Sequence, residues 1–404
     1  MTSAPNTSRR RKKHASPLEL KAIEVSGFKA IKRSSKLAIG SLTLLIGRNG
    51  SGKSSVVEAL QWLQESLFEG LQQATELRFH RYEDLRNHRS QSTSLHLKFS
   101  SDINYDLKVA KAAGFAARPI VIAEELSMGR TRGRHTIIST KKGSKGPAVR
   151  NVKDANPVRD GDSLALGEGP SRGAIEQVRD YLKSLVVVRL SPTSMMDSAY
   201  LERRARGALL DERGANLPAL IDSLSASQRE WITEHLRKIH GGIEKIQIVP
   251  TERGRGYLAL SERMPKKGGS DLFDVPAWML SEGMRRMTAV FTLLAIEPRP
   301  SLLIIEEIEN GMDPWTLEYV MDELRSATDK GLQIILTTHS PFLLDHVKPE
   351  EVIHVRRVKG DTSYKPITGY SDVARYGGVV APGAMYLSGY YSDRDDQKRR
   401  RRRR

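Results

Sequence analysis

The chain of 404 residues contains no cysteine. Disulfides, thiolate nucleophiles and Cys-ligated zinc are therefore excluded, and the absence fits a reducing, cytoplasmic setting. Long apolar runs are missing as well. The longest are strand-sized, well short of the roughly 20 residues a membrane helix needs, so no membrane partner is expected. The N-terminal residues lack the apolar stretch of a secretory signal. No heptad pattern persists over many turns, which argues against a long coiled coil. Acid is in deficit too: 48 Asp and Glu face 65 Lys and Arg, a net charge of +17.

That charge is unevenly placed. Residues 1–16 carry five Lys/Arg and no acid, and residues 393–404 carry eight Lys/Arg against three Asp, so the two tails hold 10 of the 17 charges. Such tails read as solvated, disordered chain. They also attract phosphate backbones without regard to sequence, making non-specific nucleic acid a candidate partner.

What is present is organised around Leu44-Leu45-Ile46-Gly47-Arg48-Asn49-Gly50-Ser51-Gly52-Lys53-Ser54-Ser55. The spacing G-x-x-x-x-G-K-[ST] is the Walker A phosphate loop. Its glycines let successive backbone N–H groups, from Gly47 through Asn49, Gly50, Ser51 and Gly52, curl into an anion cradle. Lys53 supplies a point charge for the β- and γ-phosphates of ATP. Ser54 is placed to ligate Mg²⁺, and Ser55 enters a helix whose positive end adds to the site. An apolar strand, Leu42–Ile46, precedes the loop. Val56, Val57, Leu60, Leu63 and Leu67 follow at helical spacing, and the helix is expected to run from Ser54 to about Leu77.

Earlier, Leu18–Val25 alternates as a strand, Ser26–Lys29 turns, and Ser35–Ile39 forms a second short strand. Phe28 and Lys29 are candidates to approach the nucleotide; a packed aromatic beside a solvated lysine is the equal alternative. Thr93–Ser100, Asn104–Val109, Ile120–Glu124 and His135–Ser139 read as antiparallel strands. Residues 129–173 are rich in Gly, Ser, Lys and Arg and read as a basic hairpin or loop. A helix over Val178–Leu185 leads to a buried strand at Val186–Leu190. Ala199–Leu210, Leu217–Leu224 and Ser227–His240 read as helices, Ile246–Val249 and Gly256–Ser261 as strands. From residue 275 onward, Leu280–Leu294 and Pro314–Ser326 are helical, and Ser301–Ile305, Leu332–Leu336 and Glu351–Arg356 are strands. Strand–helix–strand alternation of this kind implies a parallel sheet. The divisions are a tail at 1–16, an N-terminal half at 17–128, the basic loop at 129–173, a helical insert at 174–265, a C-terminal half at 266–370 and an extension at 371–404.

Leu302–Ile305 is an apolar strand ending in Glu306 and Glu307, the Walker B pattern. Open α/β sheets bind ligands beyond the carboxyl ends of their strands. Glu306 would hold Mg²⁺ and Glu307 would polarise the attacking water. Leu280-Ser281-Glu282-Gly283 stands one helix before that strand and offers a second anion site. Asn310-Gly311-Met312-Asp313-Pro314 turns into a helix, with Asp313 as a subunit-facing carboxylate or a simple cap. His339, in Thr337-Thr338-His339-Ser340-Pro341, ends the next strand and could reach the γ-phosphate.

Together these motifs, in this order, resemble the ABC-type ATPases of the RecF and SMC group, closest to the compact OLD-like AAA-family ATPases of anti-phage defence. The resemblance spans about residues 18–370. It implies an α/β P-loop NTPase of ABC type, with a mixed parallel sheet, an N-terminal antiparallel β lobe and a helical insert. It implies a head-to-tail homodimer or higher oligomer in which Ser281 and Gly283 of one copy close over ATP at Lys53 of another. Glu307 is then the base, His339 the γ-phosphate sensor and Asp313 a cross-dimer contact. The setting it implies is the ATP-driven sensor of a defence system with a separate nuclease or toxin as effector, since too little chain follows Lys365 for a fused TOPRIM nuclease. A RecF-like repair ATPase and an ATP-dependent scaffold are the alternatives. Glu306 stands where the family often has Asp. The family's glutamine loop is not identified; Gln91 and Gln177 are the candidates.

Overall fold

The computed structural model describes residues 18–112, 118–129, 135–141, 149–152, 162–201, 209–266 and 269–391. Within the first stretch, alternation sets the opening strand, β1 (Leu20–Phe28), with Ile23, Val25 and Phe28 inward. β2 (Ile31–Arg33) and β3 (Leu37–Ala38) fold back on it antiparallel. β4 (Leu42–Ile46) is buried at every position, as a strand covered on both faces must be. α1 (Lys53–Glu69) follows the glycine loop. The one helix expected to Leu77 is in fact two. Gly70 takes φ +82°, ending α1, and α2 (Leu71–Phe79) starts afresh. The free N–H groups at that break are satisfied by Asp162, which accepts from Leu71 N at 3.0 Å and Gln72 N at 2.8 Å.

After α3 (Tyr82–Leu85) come β5 (Ser92–Phe99), β6 (Ile103–Lys111), β7 (Pro119–Met128), β8 (His135–Lys141) and β9 (Val149–Val152). They extend β1 into an antiparallel sheet of order β2-β1-β5-β6-β7-β8-β9, with β3 also on β1. This is the expected N-terminal lobe. The β8–β9 hairpin falls in the stretch read as basic hairpin; its residues 130–134, 142–148 and 153–161 lie outside the described residues.

α4 (Ala165–Glu168) and α5 (Gly173–Lys183) return the chain to β10 (Val186–Val188). β11 (Ala199–Tyr200) is a strand paired with Arg255 and Gly256, not the start of a helix. The charged residues of that pattern, in 202–208, lie outside the described residues. α6 (Leu217–Ser223) and α7 (Ala226–Ile239), the latter opened by a Ser225–Gln228 capping box, are joined by β12 (Ile243–Pro250), β13 (Arg255–Lys266) and β14 (Gly269–Pro276). The insert thus carries an antiparallel sheet of its own, in which β13 pairs with β11, β12 and β14.

The C-terminal half supplies α8 (Glu282–Ala295), β15 (Leu302–Glu306), α9 (Pro314–Asp329), β16 (Gln333–Thr338), β17 (Val352–Val358), β18 (Asp361–Pro366), α10 (Ser371–Tyr376) and α11 (Pro382–Leu387). The central sheet runs β10-β15-β16-β4-β17-β18, parallel except for β18. Leu45 faces a core shared with α1 and the antiparallel lobe; Leu44 and Ile46 face a second core with α8 and α9. Gln333 locks the two sheets together. Its amide accepts from Leu20 N at 2.8 Å and Tyr181 OH at 2.9 Å, and donates to Leu20 O at 3.1 Å and Gly40 O at 3.2 Å. A buried amide this fully paired fixes orientation. The carboxyl ends of β10, β15, β16 and β4 therefore share one edge.

Candidate active site

The glycine loop leaves β4 under tight constraint. A Cβ on Gly47 would sit 2.1 Å from the Val355 carbonyl oxygen, so only glycine lets loop and β17 meet backbone to backbone. Lys53 opens α1 and is buried, 5% exposed. Its ammonium donates to Gly47 O at 2.6 Å and Arg48 O at 3.5 Å, so the loop wraps around its own lysine. Burial pulls its pKa down to about 8, against the opposing pull of Glu307, Glu306 and Glu309. Ser51 and Ser55 are buried, while Asn49, Gly50 and Ser54 face outward.

Ser54 meets Walker B directly: its hydroxyl donates to Glu306 Oε2 at 3.0 Å. Burial raises the Glu306 pKa, and the Ser54 hydrogen bond and Arg189 only partly offset it. Glu307 breaks from the strand with φ +53°, a left-handed conformation that costs about 1 kcal/mol for a residue with a side chain. Its N–H donates to Thr337 O at 2.9 Å, which holds the turn. Its carboxylate accepts from Asn310 Nδ2 at 2.8 Å and lies 3.5 Å from the Arg189 guanidinium.

Glu309 was not singled out from the sequence, yet one oxygen of it organises the histidine loop. Oε1 accepts from Thr338 Oγ1 at 2.8 Å, His339 N at 3.0 Å and Ser340 N at 3.2 Å. His339 itself is exposed, with its pKa lowered by partial burial and then by Lys53. The Walker B turn and the histidine loop thus form one hydrogen-bonded unit. Lys53, Ser54, Glu306, Glu307, Glu309 and His339 converge at it.

The remaining residues stand elsewhere. Ser281 caps α8, accepting from Met284 N at 3.1 Å, and is exposed. Gly283 packs on the turn after Walker B: a Cβ there would lie 2.3 Å from Gly311 O. Arg285 braces this segment by donating to Ala277 O at 2.7 Å and Leu280 O at 2.6 Å. Asp313 caps α9 through Trp315 N and Thr316 N, both at 3.0 Å, and accepts from Thr316 Oγ1 at 2.6 Å, which holds its pKa down. The capping reading accounts for both of its oxygens. Lys29 lies 2.5 Å from the Glu58 carboxylate on α1 and 5.4 Å from the Phe79 ring centre; Phe28 is wholly buried. Gln177 lines a cavity with Ser301, Leu332 and Gln333 at the amino ends of β15 and β16, the edge opposite the site. Gln91 is exposed ahead of β5. The place beside Glu307, at the carboxyl end of β10, belongs to Arg189. A charged residue directly after a three-valine run was the available signal.

Comparison with known proteins finds ATPase domains. Residues 19–158 match the family model described as "AAA ATPase domain", and residues 194–345 match "AAA domain, putative AbiEii toxin, Type IV TA system". An energy-coupling factor transporter ATP-binding protein of Mycoplasmopsis synoviae is 33% identical over 97 residues, 24% of this chain and 30% of that protein. A lantibiotic transport ATP-binding protein of Streptococcus pyogenes is 24% identical over 131 residues, 30% of this chain and 56% of that one. The chromosome partition protein Smc of Desulfitobacterium hafniense is 40% identical over 70 residues, 17% of this chain and 5% of that one. The chain thus spans under two thirds of the length of these curated relatives. Among solved structures, the Smc head domain of Pyrococcus yayanosii with a coiled coil and joint aligns over 87% of this chain and 97% of that one, at TM-score 0.51 and 10% identity. The Smc head of Pyrococcus furiosus bound to the C-terminal domain of ScpA aligns over 86% and 96%, at TM-score 0.50 and 15% identity. The fold is that of an Smc-head-like P-loop ATPase. The matches in sequence are to ATPase domains of the AAA and ABC/SMC types, each over part of this chain.

Proposed function

We propose that this protein binds and hydrolyses ATP at a composite site between two copies of the chain. The observation that carries the reading is the joining of Ser54 to Glu306 at 3.0 Å, with Lys53 and Glu307 at the same sheet edge. Ser54 and Glu306 are hard oxygen donors, and the buried Glu306 carboxylate needs a cation. That pair suits Mg²⁺, which takes few protein ligands beside phosphate and water. When bound, Mg²⁺ would neutralise charge on the phosphates. Lys53 and the N–H groups of Gly47–Ser55 bind the β- and γ-phosphates. Glu307 takes the proton of the attacking water, and His339, held by Glu309, faces the terminal phosphate. Ser281 and Gly283 close over the site of another copy, with Asp313 near the contact.

Within that reading the protein is a cytoplasmic, OLD-like regulatory ATPase of a defence system, acting on a separate nuclease or toxin. The match to a family described by a putative AbiEii toxin supports a role in such conflict systems. Non-specific nucleic acid is a further partner, through the basic tails.

The test is Glu307→Gln. Light scattering with ATP should show a stable dimer or larger assembly, and hydrolysis should fall by about a hundredfold or more. A hydrolysis rate equal to the parent's would move the base elsewhere.

A further inference from the structure

Arg189 follows the last residue of β10, whose register sets Val188 beside Ile305. It leaves the sheet at the same edge as Glu306 and Glu307. Its backbone is pinned, with its N–H donating to Glu212 O at 2.7 Å. Its side chain is not: it is 60% exposed, and its one ion pair among the described residues, with Glu307 Oε1 at 3.5 Å, is longer than a good hydrogen bond. A guanidinium offers five N–H donors in a planar fork that matches carboxylate and phosphate alike. Among the described residues, most of those donors are uncommitted.

The charge balance of the site asks for such a group. Glu306, Glu307 and Glu309 all act on Lys53. A triphosphate would add more negative charge to three carboxylates already facing one buried ammonium. A second guanidinium near Glu307 and Glu309, Arg286, is partly buried, and its stem lies against the Gly311 turn from α8. Arg189 combines a fixed backbone, a free side chain and a place at the strand end next to Walker B.

We propose that Arg189 is a phosphate-binding residue of this site, donating to the terminal phosphate of ATP bound at Lys53 of the same chain and releasing Glu307 as it does so. The proposal rests on the ATPase reading above and adds to it a residue that separates ATP from ADP. Phosphate outcompetes a single carboxylate for the fork because it presents more acceptor oxygens and more charge.

The experiment measures ATP and ADP affinity by calorimetry in Glu307→Gln protein, with and without Arg189→Ala or Arg189→Gln. Loss of a charge-assisted contact to the terminal phosphate should weaken ATP by about tenfold or more while ADP changes by less than about twofold. Arg189→Lys should recover part of the loss. An equal loss for both nucleotides, or no loss, overturns the assignment, whether the cause is misfolding or irrelevance. If Glu307→Gln itself still hydrolyses ATP, the base assignment fails instead; the ATP-to-ADP ratio is then read with a non-hydrolysable ATP analogue, and the same two outcomes decide Arg189.

Discussion

Lys53 is strongly altered by its surroundings. Burial lowers its pKa to about 8 from 10.5. Between those values the unfolded chain holds more protons than the folded one, so this group's contribution to stability rises as pH climbs through the window. Nucleotide binding runs the other way, because phosphate needs the ammonium form. ATP affinity should therefore decline through mildly alkaline pH with a midpoint near 8, and Lys53→Arg, which does not titrate there, should flatten the curve. A flat profile in the unaltered protein would remove the ammonium from the binding step. Glu306 shows the opposite displacement, raised by burial, so its charged form costs stability. Glu309 shows how one residue acts through another: a single oxygen sets three successive positions of the histidine loop.

At the scale of elements, the contact between α8 and the turn after β15 matters most. Gly283 and Gly311 touch so closely that a methyl group on Gly283 cannot fit without movement. Gly283→Ala should destabilise the protein by about 1–3 kcal/mol, read as a lowered melting temperature. A melting temperature equal to the parent's would mean that α8 shifts freely on the turn. Elements were also where sequence patterns were least sufficient. The run from Ser54 to Leu77 has continuous helical spacing, yet Gly70 divides it, because Asp162, distant in sequence, satisfies the second helix's N–H groups. Ala199–Tyr200, the start of a run whose pattern predicts a helix, is a strand because Arg255 and Gly256 offer it a partner. The parallel strands themselves were legible, since full burial demands short unbroken apolar runs.

At the scale of the whole molecule, the antiparallel lobe and the parallel sheet are joined at Gln333, and the site occupies the opposite edge of the central sheet. Ser281 caps a helix braced on the Gly311 turn and faces outward, which suits a surface that meets another copy. If sites are shared between chains, Lys53→Ala and Ser281→Arg proteins, each inactive alone, should regain activity when mixed. Random pairing would restore roughly a quarter of the parental rate, since half of the pairs are mixed and each mixed pair has one intact site. A mixture no faster than either component would count against a shared site.

The sequence by itself determined the Walker A loop, the Walker B carboxylates, the capped helix at Ser281 and the order in which they occur. Those motifs depend on local backbone conformation, on glycine where a side chain would collide, and on apolar runs that must be buried. Only the tertiary structure decided what stands beside them. Arg189 and Glu309 matter because β10 lies against β15 and β15 against β16, and strand adjacency is a non-local fact that no local spacing encodes. The same pairing sets aside Gln177, which shares the chain with the site but lies at the wrong end of the sheet.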